Sequence, residues 1–152
     1  MIPRYHIILG FLFSLILFLI FPNIILIEAG IIFFSSFLID VDHYIFYILK
    51  SKDLSLRNAI KYFLANRKKL KKISPEKRNK FYSGFCFLHG IEVLLILFLL
   101  GIFVSKYFLL IFIGFTFHIC LDILEEVCNN SRFDKISIIY DFIKYKKLKL
   151  LK

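Results

Sequence analysis

Tryptophan is absent from the sequence, so anchoring at a membrane interface would fall to tyrosine, lysine and arginine. Cysteine is scarce: Cys86, Cys120 and Cys128 form an odd set without C-x-x-C spacing. That pattern suggests neither a disulfide framework nor a thiolate zinc site, and free buried thiols are the simpler reading. A secretory signal is the rival reading of the N-terminus, with Arg4 ahead of an apolar run. It lacks an A-x-A-like cleavage site and would leave His6 without a use. There is no internal repeat and no segment with a disordered composition. No nucleic-acid-binding motif accompanies the basic residues, so no nucleic-acid partner is expected.

Hydrophobic residues are what the sequence has in excess. A chain of 152 residues allows one domain. Its 59% hydrophobic content and mean hydropathy of +0.76 are too apolar for a soluble globule of this size. The hydrophobics fall in long runs, which predict spans at roughly residues 5–21, 24–49, 85–104 and 107–127. Pro22-Asn23 stops the first run, Ser105-Lys106 is the tight connection between the last two, and Asn129-Asn130-Ser131 ends the fourth. Glu28 lies near the outer end of the second span, as an interfacial residue.

The net charge of +10 is unevenly placed. Residues 50–80 hold twelve Lys/Arg against Asp53 and Glu76, whereas the rest of the chain holds nine basic and nine acidic residues and is neutral. Within that loop Leu56, Ile60, Phe63, Leu64 and Leu70 recur at helical spacing among Arg57, Lys61, Arg67, Lys68, Lys69, Lys71 and Lys72. The pattern suits a helix lying on an anionic lipid surface. Ser74-Pro75-Glu76 reads as a further helix start. The tail, residues 131–152, repeats the basic pattern with Ile136, Ile139, Ile143, Lys144, Lys146, Lys147 and Lys149. The expected fold is therefore all-α: an integral membrane four-helix bundle with basic amphipathic surface helices in the 50–80 loop and the C-terminal tail. Basic loops stay inside, so the expected topology is multi-pass in the cell (inner or plasma) membrane, with both termini and the 50–80 loop cytoplasmic.

Inside these apolar runs lie ionisable groups, which are costly at membrane depth unless paired or metal-bound. They are His6, the stretch Asp40-Val41-Asp42-His43, His89 with Glu92, and His118 with Asp122. At about 1.5 Å per residue from the outer end of each span, His6 lies about 22 Å in, Asp40 about 24 and His43 about 28. On the same scale His89 lies about 21 Å in, Glu92 about 17, His118 about 17 and Asp122 about 23. Spans that alternate in direction have no other reason to agree in depth. Asp40 and His43, like His89 and Glu92, are i,i+3, and His118 and Asp122 are i,i+4, so each pair shares a helix face. Asp42 points about 160° from Asp40 in a regular helix. It calls for an unwound helix or for a different hydrogen-bond partner, such as a metal-ligating imidazole.

Taken singly, each group has a plainer reading. His89, His118 and Glu92 could each hydrogen-bond a neighbouring helix, and His6 could be interfacial. Together they read as a metal site with His6, Asp40, His43, His89, His118 and Asp122 as ligands. Glu92 is a candidate general base and Asp42 a second candidate catalytic carboxylate. Imidazole and carboxylate without thiolate suit a divalent ion, Zn or Mn in first place, with room for one or two ions.

Tyr5-His6-Ile7-Ile8-Leu9-Gly10, Leu38-Ile39-Asp40-Val41-Asp42-His43, Leu88-His89-Gly90 and Gly114-Phe115-Thr116-Phe117-His118-Ile119-Cys120-Leu121-Asp122 occur in this order. In this the chain resembles the YdjM-like family, described as membrane-bound metal-dependent hydrolases. The chain departs from the family pattern at Ile39, where proline is usual, and near Gly84, where an imidazole is often found. Glu92, one turn after His89, would replace that imidazole. The resemblance implies a hydrolase that uses a metal-activated water against an ester or phosphoester, lipid-linked substrates included. The alternative is a non-enzymatic metal-dependent scaffold or an ion- or proton-handling membrane protein. A conduit needs polar groups at several depths, and the outer halves of the spans offer only Glu28.

Overall fold

The computed structural model describes residues 3–74, 77, 81–82, 84–128, 137–147 and 149–150. Among them the chain is helical: α1 Pro3–Ile20, α2 Leu26–Leu38, α3 Val41–Ser51, α4 Leu56–Lys72, α5 Ile91–Phe103, α6 Lys106–Cys128 and α7 Ile138–Lys147. Its one departure from the expected all-α fold is a parallel two-residue pairing of β1 Phe81–Tyr82 with β2 Lys149–Leu150. The helix start expected at Ser74-Pro75-Glu76 and the helix stop at Asn129-Asn130-Ser131 involve residues outside the described set.

Two helical runs are long and apolar enough to cross a membrane, the 26 residues Leu26–Ser51 and the 23 residues Lys106–Cys128. Helices α1 and α5 are apolar but shorter. Helix α2 packs on both α1 and α6, and α5 packs on α6. Small residues allow the close approaches. A Cβ added at Gly10 in α1 would come 2.0 Å from Ser36 Oγ, and one at Gly114 in α6 would come 2.0 Å from Ser35 Oγ and 2.7 Å from the Ile32 carbonyl. The Phe13 and Phe117 rings stack at 4.0 Å where α1 meets α6.

The second expected span is interrupted at Ile39-Asp40. There the amides of Asp40, Asp42 and His43 bond to the carbonyls three residues earlier, on Phe37, Ile39 and Asp40, so the turn is tightened. The third span also differs from expectation, because helix α5 begins only at Ile91. Residues 84–90 are apolar enough to read as helix. They instead form an irregular stretch whose Leu88 N–H is drawn away to the Asp42 carboxylate at 2.9 Å.

Helix α3 ends at Lys52, in the left-handed conformation at φ 57. Asp53 then organises the turn into α4 by accepting from Tyr47 Oη, Asn58 Nδ2 and the Ser55 amide. These donors hold its carboxyl below the usual range. Ser55 caps α4 by accepting from the Asn58 amide. Helix α4 exposes Lys61, Lys68, Lys69 and Lys72 and buries Ala59 and Asn66. Phe63, expected on a lipid-facing stripe, instead sets its ring edge against His43 at 5.0 Å.

Several polar side chains lie inside the fold while large apolar ones lie on its surface. His6, Ser14, Ser35, Ser36, Asp42, His89 and His118 are buried. Leu19, Leu26, Ile27 and Phe103 are 72%, 76%, 69% and 80% exposed. The exposed apolar side chains run along α1, α2, α5 and α6.

Candidate metal centre

The fold brings together all six residues expected as ligands. Helix α1 carries His6, the interruption after α2 supplies Asp40, and α3 supplies His43. The irregular stretch ahead of α5 supplies His89, and α6 supplies His118 and Asp122. Asp40 Oδ1 lies 3.6 Å from the Nε2 atoms of His43, His89 and His118 alike. Asp122 Oδ2 lies 3.4 Å from His118 Nε2 and 3.9 Å from His89 Nε2. A tetrahedral ion with bonds of about 2.1 Å spaces its donors by about 3.4 Å. The printed pairs among Asp40 Oδ1, His89 Nε2, His118 Nε2 and Asp122 Oδ2 come close to that spacing; Asp40, His89 and His118 form one group that could hold a metal ion, and His6, His118 and Asp122 another.

The proton positions on two of the rings follow from their partners. A carbonyl can only accept, so His118 Nδ1, 2.8 Å from the Ser36 carbonyl, is the donor there. His89 Nδ1 donates to Asp42 Oδ2 at 2.9 Å. In the neutral rings each Nε2 then presents a lone pair to the cluster, the arrangement a ligating imidazole needs. Asp42 is fully buried and also accepts from the Leu88 amide. In the structure this candidate catalytic carboxylate bonds to His89 and to the irregular stretch. The 160° problem is resolved on both counts, since the helix is interrupted and the carboxylate bonds to an imidazole.

Glu92, the candidate base, is engaged elsewhere: its two oxygens accept from Ser137 Oγ at 2.5 Å and from the Ile138 amide at 3.0 Å. It caps the start of α7, where a carboxylate is favoured by the helix dipole and the free amides. The expected i,i+3 pairing with His89 fails because His89 precedes the helix.

Sequence reasoning missed Cys86. Its buried sulfur lies 3.2 Å from His43 Nδ1, and with Asp42, His43 and His89 it makes another group of metal-ligating type, beside those of Asp40, His89 and His118 and of His6, His118 and Asp122. Its spacing of three residues ahead of His89 was the available signal, and no cysteine pair marked it. Openness is unequal: the side chains of Asp40, Asp122 and His43 are 23%, 20% and 21% exposed, while His6, His89 and His118 are buried. Glu28, at the other end of α2, caps that helix through the Ile25 amide and pairs with Lys106 Nζ at 2.6 Å. No protein-family model, curated protein sequence or solved structure matches this chain.

Proposed function

We propose that this chain is a multi-pass membrane protein, a four-helix bundle with a metal centre that hydrolyses an ester or phosphoester. The single observation that carries the reading is the meeting of Asp40, His89, His118 and Asp122 donors at ligand spacing inside a structure with an apolar exterior. Uncompensated carboxylates and imidazoles are costly in hydrocarbon, and a divalent ion would satisfy them together. An ion held there would supply a Lewis acid and a water activated near neutral pH.

The chain's own residues would divide the remaining work. Asp42 and the Ser36 carbonyl fix the His89 and His118 rings. Asp40 and His43, on the open side, face the entering substrate, and His43 Nε2 is placed to carry a proton. Phe63 ties α4 to that same side. Its exposed Lys61, Lys68, Lys69 and Lys72 would lie on an anionic lipid surface and attract an anionic headgroup from the cytoplasmic leaflet. The motifs shared with the YdjM-like family support the same reaction class. The pairing of Glu28 with Lys106 disfavours a conduit, since it occupies the one acid toward the outer end.

The test is metal analysis of protein purified in detergent, followed by hydrolysis assays on ester and phosphodiester lipids. The expected outcome is bound divalent metal that is lost in His118→Ala, with turnover that chelation abolishes. Loaded protein that turns over neither ester class refutes the hydrolase; the absence of metal refutes the centre as well.

A further inference from the structure

His6 is 1% exposed, and neither of its ring nitrogens makes a hydrogen bond within the described residues. A buried imidazole left in that state is costly. Its Nε2 lies 3.2 Å from Asp122 Oδ1, an ion-pair contact only if the ring is protonated. The other oxygen, Asp122 Oδ2, faces His118 Nε2 at 3.4 Å. The two rings stack face to face, with centroids 3.9 Å apart and planes 16° apart.

Stacking decides how many ions the rings can serve. An imidazole binds a metal through a lone pair in the plane of its ring. With rings nearly parallel and both Nε2 atoms turned toward one carboxylate, an ion in the plane of His118 sits roughly one stacking distance out of the plane of His6. By distance alone His6, His118 and Asp122 could share one ion, but with the rings this close to parallel that ion would lie well out of the plane of at least one imidazole. Two ions avoid this, each beside its own ring and its own oxygen of Asp122. Ions in two-metal sites sit about 3.5–4 Å apart, a separation that rings stacked with centroids 3.9 Å apart can accommodate.

We propose that the cluster holds two divalent ions bridged by the Asp122 carboxylate. One ion is held by His6 Nε2 and Asp122 Oδ1, the other by Asp40 Oδ1, His89 Nε2, His118 Nε2 and Asp122 Oδ2. This rests on the metal-centre reading above and adds the number of ions and the division of ligands. Formal charge agrees with it. With neutral rings, Asp40, Asp42 and Asp122 against one divalent ion leave a net of −1, whereas two ions leave +1, suited to an anionic substrate. Among the described residues this division gives the His6 ion two protein ligands, which leaves positions for water and substrate.

The experiment uses the full chain in detergent, stripped by chelator and reloaded with Mn(II), with metal counted by elemental analysis and spin coupling read by electron paramagnetic resonance. The expected result is two ions per chain with an exchange-coupled spectrum. His6→Gln should fall to one ion per chain and give the spectrum of isolated Mn(II). One ion per chain in wild type and His6→Gln alike overturns the proposal. So does a single ion that His6→Gln abolishes, which would mean that both rings share it. No ion in wild type overturns the metal-centre reading along with it. Should His6→Gln fail to fold, the wild-type count and its coupled or uncoupled spectrum decide the question.

Discussion

Replacing Asp42 by asparagine keeps the side chain's shape and leaves one oxygen to accept from both His89 Nδ1 and the Leu88 amide. What it removes is the charge that strengthens His89 as a donor and locks its tautomer. Changes to groups that orient a ligating imidazole typically weaken metal affinity about 10–100-fold, equivalent to about 1.4–2.7 kcal/mol. A metal that the folded chain alone holds stabilises it, so that loss should appear as reduced stabilisation in excess metal. In detergent the metal-dependent part of the thermal midpoint should shrink by several degrees, on the order of 2–4 °C per kcal/mol. The assay is a pair of melting curves, with Mn(II) and with chelator, for wild type and Asp42→Asn, beside competition against a chromophoric chelator. A drop of the same size in chelator and in metal would refute the reasoning. It would mean that Asp42 serves only to hold residues 84–90 in place.

Gly114→Ala should be the more damaging of two glycine substitutions, at about 1–3 kcal/mol for overpacking. Its Cβ meets the Ile32 carbonyl, which cannot swing aside, so Ser35→Ala should not rescue it, whereas Ser36→Ala should largely rescue Gly10→Ala; thermal melts of the four variants check this. Glu92→Gln should cost about 1 kcal/mol of stability by weakening the cap on α7 while leaving the metal content unchanged, and lost metal would return Glu92 to the site. A cysteine placed by Lys68→Cys should react with an impermeant reagent only once the cytoplasmic face is opened, and labelling in intact cells would invert the topology.

Helical periodicity and hydropathy made α1, α2, α4 and α6 legible in the sequence, because apolar runs and stop signals are local. They also singled out the six residues that converge in the fold, since an ionisable group in an apolar helix stands out against its surroundings. Residues 84–90 were not legible. They are as apolar as a helix, and what unwinds them is an amide drawn to Asp42, more than forty positions away in sequence. Glu92 misled for a related reason: spacing places a side chain on a face but does not say which helix lies opposite, and here it is α7. Cys86 carries no pairing partner in the sequence, and only folding brings its sulfur to His43.

The interruption at Ile39-Asp40 has a consequence for how the centre can be altered. In an unbroken α-helix the Asp40 amide would bond to the Ser36 carbonyl. Here that amide goes to Phe37 instead, and the Ser36 carbonyl receives the His118 ring. The group that aims His118 is thus main chain, so no exchange of side chain at position 36 can delete it. It can be withdrawn only by healing the helix. Susceptibility therefore moves from the atom that makes the bond to the residues that keep the turn tight, and Ile39, itself fully buried, becomes a determinant of an imidazole that belongs to another helix.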